Sequence, residues 1–89
     1  MDVNIKNTFS ISSKKLFVIV VEHDYDSLLD FQQVMDNHLK LSFPIHSIEL
    51  VRLSGVTYPG ITLEYGDDEE LRKLLTIFRD SSHLVLVSR

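Results

Sequence analysis

The chain has 89 residues, 44% hydrophobic and 25% charged, with a formal net charge of −4 and no cysteine. This length predicts one domain over residues 1-89, and the lack of cysteine excludes disulfides and thiolate zinc sites. The acidic balance argues against nucleic acid as the main ligand. No apolar run is long enough for a membrane-spanning helix and no secretion signal opens the chain, so we expect a cytoplasmic protein without a membrane partner.

The first two predicted elements are strands that form a β-hairpin. Val3, Ile5, Phe9 and Ile11 alternate with polar residues, with Asn7 as the exception, which predicts a half-buried strand with one apolar face. The polar stretch SISSKK predicts a turn. The following LFVIVV is apolar on both faces and predicts a central strand.

A helix is predicted after the hairpin. Asp24, Asp26 and Ser27 are candidate N-caps because their side-chain oxygens can accept from free backbone N–H groups. Apolar residues then recur at steps of three and four, as on one face of a helix: Leu28, Phe31, Met35 and Leu39. Pro44 is expected to end this helix.

Two strands, a second helix and a last strand are predicted in the remainder. The strands are IHSIELVRL and GITLEY, and SGVTYPG between them is turn material. The second helix presents to the core an apolar face made of Leu71, Leu74, Leu75 and Phe78. HLVLV is the final strand.

The element order ββαββαβ predicts an α+β fold with a mixed sheet and both helices on one face. This is the order of the ubiquitin-like β-grasp. The alternative is a ferredoxin-like sandwich of order βαββαβ, which requires that the first strand does not pair with the second.

Motifs for catalysis, metal binding and cofactor binding are weak. Asp80, Ser81, Ser82 and His83 include triad residue types, but neighbours at a helix-to-strand junction rarely converge. The four histidines lack metal-ligand spacing: His23, His38, His46 and His83. GVTYPG lacks the Lys-Ser/Thr of a phosphate-binding loop. We therefore predict no enzyme activity, no metal and no cofactor.

Charged residues are concentrated in two stretches. The basic set is Lys6, Lys14 and Lys15, and the acidic set is Asp67, Asp68, Glu69 and Glu70. Acids at a helix N-terminus are favoured by the helix dipole, and a capping box is predicted from Asp67 to Glu70. Capping needs one or two acids, so the excess indicates an acidic surface that can meet a cation.

The stretches VNIK, KKLFVIVV and ITLEYGDDEELRKLLTIF resemble a PB1 domain, a ubiquitin-like β-grasp interaction module of signalling scaffolds and kinases. PB1 domains form front-to-back heterodimers between a first-strand lysine and an acidic cluster. The resemblance implies that Lys6 is that lysine and that Asp68, Glu69 and Glu70 are the end of the acidic motif. RLSGVTYPG lacks the acids that begin this motif, which implies a type II-like module that uses its lysine side.

The implied partner is another protein domain with an acidic surface, such as an acidic PB1 domain, together with weak self-association at most. One alternative is a Ras-binding or Ras-association domain that meets a GTP-loaded small GTPase through its basic residues, Lys6, Lys14, Lys15 and Lys40. Another is a ferredoxin-like regulatory domain that binds a metabolite or dimerises. Partner, parent protein and pathway stay open, and the chain is compatible with a domain of a longer protein.

Overall fold

The computed structural model describes residues 1–36, 41–79, 81 and 83–88, and in these ranges the chain forms seven strands and two helices. In chain order these are β1 Asp2–Ile11, β2 Leu16–Glu22, α1 Tyr25–Leu28, β3 Gln33–Met35, β4 Ser42–Pro44, β5 Ser47–Leu53, β6 Val56–Glu64, α2 Asp68–Phe78 and β7 His83–Val87. The strands make one sheet in the order β4-β3-β7-β1-β2-β6-β5. Every neighbouring pair in it is antiparallel.

The predicted α+β β-grasp with a mixed ββαββαβ sheet is wrong. β7 runs antiparallel beside β1, β3 occupies sequence that was predicted to be part of the first helix, and β4 is formed by the stretch that was expected to end that helix. The ferredoxin-like alternative is also wrong, because β1 pairs with β2 from Asn4 to Ile11. The protein is therefore mainly an antiparallel sheet with two short helices.

The predicted first helix lasts one turn, from Tyr25 to Leu28. Asp24 occupies the N-cap position, but its side chain accepts from the Ser27 hydroxyl at 3.1 Å and caps no backbone N–H. The chain is extended again at Val34, which is fully buried between the neighbouring strands β4 and β7. Leu39 and Lys40, which were assigned to this helix, lie outside the described residues.

The predicted β1–β2 hairpin is confirmed, and β5 and β6 form a second hairpin. The stretch SGVTYPG was predicted as a turn, but its loop is Ser54–Gly55 alone, since Leu53 pairs with Val56. Both loop residues have positive φ, 51° and 82°, which is the signature of a type I′ turn. The rest of the predicted turn continues β6.

A β-bulge interrupts β1 at Lys6. Ile5 pairs with Val21 and Asn7 pairs with Val20, so Lys6 is an extra residue without a partner on β2. A bulge reverses the faces of the residues that follow it. The single apolar face predicted for β1 is therefore split, with Val3 and Ile5 on one side of the sheet and Phe9 and Ile11 on the other.

The hydrophobic core lies on the face of the sheet that α2 covers. The predicted second helix is confirmed, and it buries Leu74, Ile77 and Phe78. The Phe78 ring packs against Phe17 of β2 at 6.3 Å and Phe43 of β4 at 5.8 Å between ring centroids. Within the described ranges neither helix is long and apolar enough to cross a membrane.

Candidate functional site

The sheet face opposite α2 is covered by neither helix of the described chain, and we call it the open face. Paired residues of an antiparallel ladder point to the same side, so the register of β1, β2, β6 and β5 identifies its members. Those with side chains are Asn4, Asn7, Phe9, Ile11, Leu16, Val18, Val20, Glu22, Val56, Tyr58, Thr62, Glu64, Ser47, Glu49, Val51 and Leu53. The protein thus has a second, partly apolar surface besides its core.

A closely packed floor supports the centre of the open face. The Ser47 and Thr62 hydroxyls lie 2.6 Å apart, and the Thr62 hydroxyl donates to the Ser47 carbonyl at 3.0 Å. Beside them, Gly60 lets the side chains of Val18 and Val51 approach over its backbone. These contacts fix the positions of β2, β6 and β5 relative to one another.

A hollow of about 400 Å³ opens above this floor. Its apolar walls are Phe9, Ile11, Leu16, Val18, Leu50 and Val51, and polar groups at its margin are Lys14, His46 and Glu49. Leu50 borders the hollow on the edge strand β5, and its side chain points to the opposite face from those of Glu49 and Val51. The hollow can accept an apolar side chain from outside, since concave apolar surfaces with a few polar groups are typical of binding sites.

Lys6 extends from the bulge across the open face. Its ammonium lies 5.7 Å from the centre of the Tyr58 ring on β6, and because β2 lies between β1 and β6, the lysine side chain must pass over β2. A cation at this distance from a tyrosine ring is attracted by the ring's electrons. In the part of the chain that the structure describes, Lys6 forms no ion pair.

Lys14 and Lys15 lie in the β1–β2 turn, away from Lys6. Five residue steps separate Lys6 from Ile11, about 17 Å along a strand, and the turn lies beyond. The structure therefore places the three predicted basic residues at two separate positions. Lys14 borders the hollow.

Lys15 is instead directed at the connection between β6 and α2. Its ammonium donates to the Gly66 carbonyl at 3.2 Å, and its own carbonyl accepts from the Tyr65 N–H at 3.1 Å. Its φ of 52° is in the left-handed region that L-residues rarely adopt. Lys15 therefore holds two loops together, and it lies next to the acidic stretch that was predicted to be a distinct surface.

Two of the four predicted acidic residues cap α2. The Asp67 carboxylate accepts from the Glu70 N–H at 2.9 Å, and the Glu70 carboxylate accepts from the Gly66 N–H at 2.8 Å. The predicted capping by Asp67 is confirmed, although Glu70 reaches one residue further back than in the usual capping box. Asp68 and Glu69 are exposed and pair with no cation in the described ranges. Their predicted role in partner binding stays a prediction.

Residue types suited to catalysis do not converge in the described structure. The Ser81 hydroxyl donates to the Ile77 carbonyl at 2.7 Å at the end of α2, while Asp80 and Ser82 lie outside the described residues. His46 contacts Glu64 at 2.9 Å, both at the surface. No cluster of three or more His, Asp or Glu residues suited to a metal occurs in the ranges that the structure covers.

Comparisons with known proteins identify no similar protein. No protein-family model, no curated protein and no solved structure matches this chain. The resemblance to PB1 domains stays a prediction from the sequence, and function has to be inferred from the chemistry of the surface.

Sequence reasoning did not find the open face or the role of Tyr58. Two signals were present: LFVIVV is apolar on both faces, and Asn7 breaks the alternation of β1. The first is explained by the position of β2, which packs one face against the core and presents the other on the open face. The second is explained by a bulge that turns Phe9 and Ile11 away from the core. The contact between Lys6 and Tyr58 joins residues 52 positions apart, and no local pattern encodes it.

Proposed function

We propose that this chain is a protein–protein interaction module that binds an acidic surface of its partner through Lys6 and the adjoining open face. The observation that supports it is the exposed Lys6 ammonium, held over the Tyr58 ring and unpaired with any carboxylate among the described residues. An exposed cation that lies near an aromatic ring and has no carboxylate partner can meet an anion from outside.

The Tyr58 ring lowers the cost of this encounter. A free lysine loses up to about 2 kcal/mol of side-chain conformational entropy when it is fixed, and a contact with an aromatic ring contributes about 0.5–1 kcal/mol at an exposed site. Lys6 has therefore lost part of that freedom before a partner arrives. Charge pairs at such a surface steer the encounter and set its orientation more than they add affinity.

The partner that fits is another domain with an acidic cluster, in a front-to-back heterodimer within a signalling scaffold or kinase. The PB1 resemblance implied this partner, although the sheet lacks the β-grasp topology of that family. Weak self-association fits the same chemistry, because Asp68 and Glu69 of a second copy are exposed acids. A GTPase partner is less well supported, since the basic residues lie at separate positions.

Replacing Lys6 with alanine tests this proposal. We expect Lys6→Ala to weaken binding to an acidic PB1 domain about tenfold, the loss of about 1.4 kcal/mol, because the interface loses its positioned cation. Binding should also weaken between about 50 and 500 mM NaCl, since salt screens exposed charges. Isothermal titration calorimetry measures both effects.

The matched control is Lys73→Ala, which removes the same charge from an exposed position on α2. Its affinity should stay within about twofold of the unsubstituted chain, as expected for a surface charge outside the interface. Circular dichroism spectra of both variants check that the sheet is intact. Equal affinities of Lys6→Ala and the unsubstituted chain would rule out the assignment of Lys6.

A further inference from the structure

The open face carries charges of both signs. Lys6 extends over it and Lys14 lies at its margin, while its acidic side chains are those of Glu22, Glu49 and Glu64. We infer that the open face also binds the open face of a second copy of this chain, in a weak symmetric homodimer that joins the two sheets face to face. This inference goes beyond the proposed function, because the homodimer and the complex with an acidic domain use the same Lys6 and exclude each other.

The area of the open face suits a weak dimer. Its four strands have 7 to 10 residues. At about 3.3 Å per residue and about 4.8 Å between strands, they cover roughly 450–600 Å² before the relief of the side chains is added. Specific interfaces bury about 600–1,000 Å² on each partner, so the open face is at the lower end of this range and is large enough for a second copy or for another small domain.

Half-buried apolar side chains give this face a reason to be covered. They surround Val18 and Val20, which are already buried, and are Phe9, Ile11, Leu16, Val51, Leu53 and Tyr58. The face of an antiparallel sheet that meets water is normally polar, whereas an apolar face is normally packed against another layer. Two sheets packed face to face, about 10 Å apart, bury such side chains between them.

The charges select one arrangement of the two sheets. In an aligned packing, a twofold axis lies between the sheets and runs either along or across the strands. An axis along the strands, between β2 and β6, places β1 over β5 and β2 over β6 of the second copy, so the side of Lys14 faces the side of Glu49 and Glu64. An axis across the strands would stack each strand on its own copy and bring this acidic side against itself.

Lys6 and Glu22 are the pair that this arrangement brings together. The Lys6 ammonium lies over Tyr58 of β6. The register of β2 and β6, continued by two residues from Val20 and Gly60, sets Glu22 at the level of Tyr58. Because β6 faces β2 of the second copy, each Lys6 ammonium lies opposite Glu22 of the other copy. Neither side chain forms an ion pair with the described residues of its own chain, so the dimer supplies both with a counter-ion.

The polar groups at the centre of this dimer keep their hydrogen bonds. Phe9 faces Ser47 of the second copy, and the Ser47 hydroxyl already lies 2.6 Å from the hydroxyl of Thr62. Asn7 faces Glu49 of the second copy. The Asn7 Oδ1 atom accepts from a backbone N–H at 2.9 Å, so the amide nitrogen can donate to that carboxylate. The facing surfaces therefore match in polarity as well as in charge.

Sedimentation equilibrium of two charge-reversal variants, alone and mixed, tests the dimer. Lys6→Glu and Glu22→Lys should each raise the dimer Kd at least about tenfold, because each places two like-charge contacts in one symmetric dimer. An equimolar mixture of the two should dimerise with a Kd within about threefold of the unsubstituted chain, since each variant then meets the opposite charge on the other. Both positions are exposed, and circular dichroism and urea denaturation check that both variants are folded.

Matched variants locate the contact. Glu64→Lys and Glu69→Lys make the same charge change as Glu22→Lys at other positions, so neither should restore dimerisation when mixed with Lys6→Glu. Restoration by Glu69→Lys would show a front-to-back contact through α2, and restoration by Glu64→Lys a different packing of the sheets; each result would overturn this inference.

The outcome for the dimer is separate from that for the proposed function. An unsubstituted chain that stays monomeric at about 1 mM, yet binds an acidic PB1 domain through Lys6, would overturn the dimer and leave the proposed function standing. A dimer that shows the expected complementation, in a chain that binds no acidic domain, would support this inference and contradict the proposed function.

Discussion

Gly60 lies on β6, between β2 and β5, and on the open face the side chains of Val18 and Val51 from those two strands pack close to its backbone. A Cβ atom at this position would lie 2.7 Å from Val51 Cγ2 and 3.1 Å from Val18 Cγ1, both shorter than a normal carbon–carbon contact. We predict that Gly60→Ala lowers the free energy of unfolding by about 1–3 kcal/mol, the usual cost of overpacking. Urea denaturation followed by circular dichroism measures the change.

Gly66→Ala is the matched control for Gly60→Ala. Its added Cβ would have its nearest neighbours at 3.5 Å, the two Glu70 carboxylate oxygens, which is an ordinary contact. We expect its effect to stay within about 0.5 kcal/mol. Adding Val51→Ala to Gly60→Ala should recover part of the loss, because the clashing methyl group is then absent. A Gly60→Ala protein as stable as the original would show that the sheet adapts to the added methyl group without cost.

On the open face, the exposure of Lys6 could be predicted from the sequence, but the bulge at this residue could not. Exposure of Lys6 follows from strand alternation, and the structure agrees. The bulge at Lys6 does not follow, because it depends on how Ile5 and Asn7 pair with a distant part of the hairpin. Since one inserted residue reverses every later side chain of a strand, the predicted face of Phe9 and Ile11 was wrong for this reason alone.

Among the elements, α2 was predicted from its apolar face and its acidic N-terminus, and the structure contains this helix with Asp67 as its N-cap. Asp67 accepts from the Glu70 N–H, so one of the four free N–H groups at the helix start is satisfied. We predict that Asp67→Ala lowers the free energy of unfolding by about 1 kcal/mol, and that Asp67→Ser retains most of the stability because serine also caps. Thermal and urea denaturation measure both values.

Glu69→Gln is the control for the cap of α2. This residue is exposed in the first turn, and within the described ranges its carboxylate makes no hydrogen bond or ion pair. Glu69→Gln should therefore lower the free energy of unfolding by only a few tenths of a kcal/mol, through the lost interaction of the charge with the helix dipole. If Asp67→Ala and Glu69→Gln prove equally stable, the hydrogen bond of the cap contributes no more than the general charge effect.

The first predicted helix failed because short apolar stretches do not separate helix from strand. Leu28, Phe31 and Met35 have helical spacing, yet within residues 29–36 the most completely buried residue is Val34, which is off that predicted face. A helix of one turn is not stable by itself, since helix nucleation is unfavourable. Pairing of Gln33–Met35 with both β4 and β7 decides the outcome, and no local sequence pattern shows that long-range pairing.

On the scale of the whole molecule, the sheet consists of two sections joined at the start of β1. One section contains β1, β2, β6 and β5, and the other contains β4, β3 and β7. Between the sections β1 pairs with β7 through Asp2, Val3 and Asn4, and the N-terminal ammonium adds a bond to the Leu86 carbonyl at 3.0 Å. The β1–β2 hairpin and the two strands that form the β5–β6 hairpin could be predicted from sequence, whereas the β3–β4 pair could not. The antiparallel joint of β1 and β7, which excludes the β-grasp, links opposite ends of the chain.

The two sections should differ in local stability. β2 pairs through five or more residues on each side, whereas β3 has three residues and its neighbour β4 is an edge strand that ends in Pro44, which lacks an N–H donor. We predict that the amides of Gln33–Met35 exchange with solvent deuterium at least about tenfold faster than those of Phe17–Val21, because short segments with few paired neighbours open without global unfolding. Native-state hydrogen exchange followed by NMR measures the exchange rate of each amide.

The free energy of opening for Ile19 should equal that of global unfolding in urea, while the value for Val34 should be lower. Equal protection in both sections would mean that the shared core, in which Leu86 of β7 and Val21 of β2 are both buried, makes the sheet open as one unit.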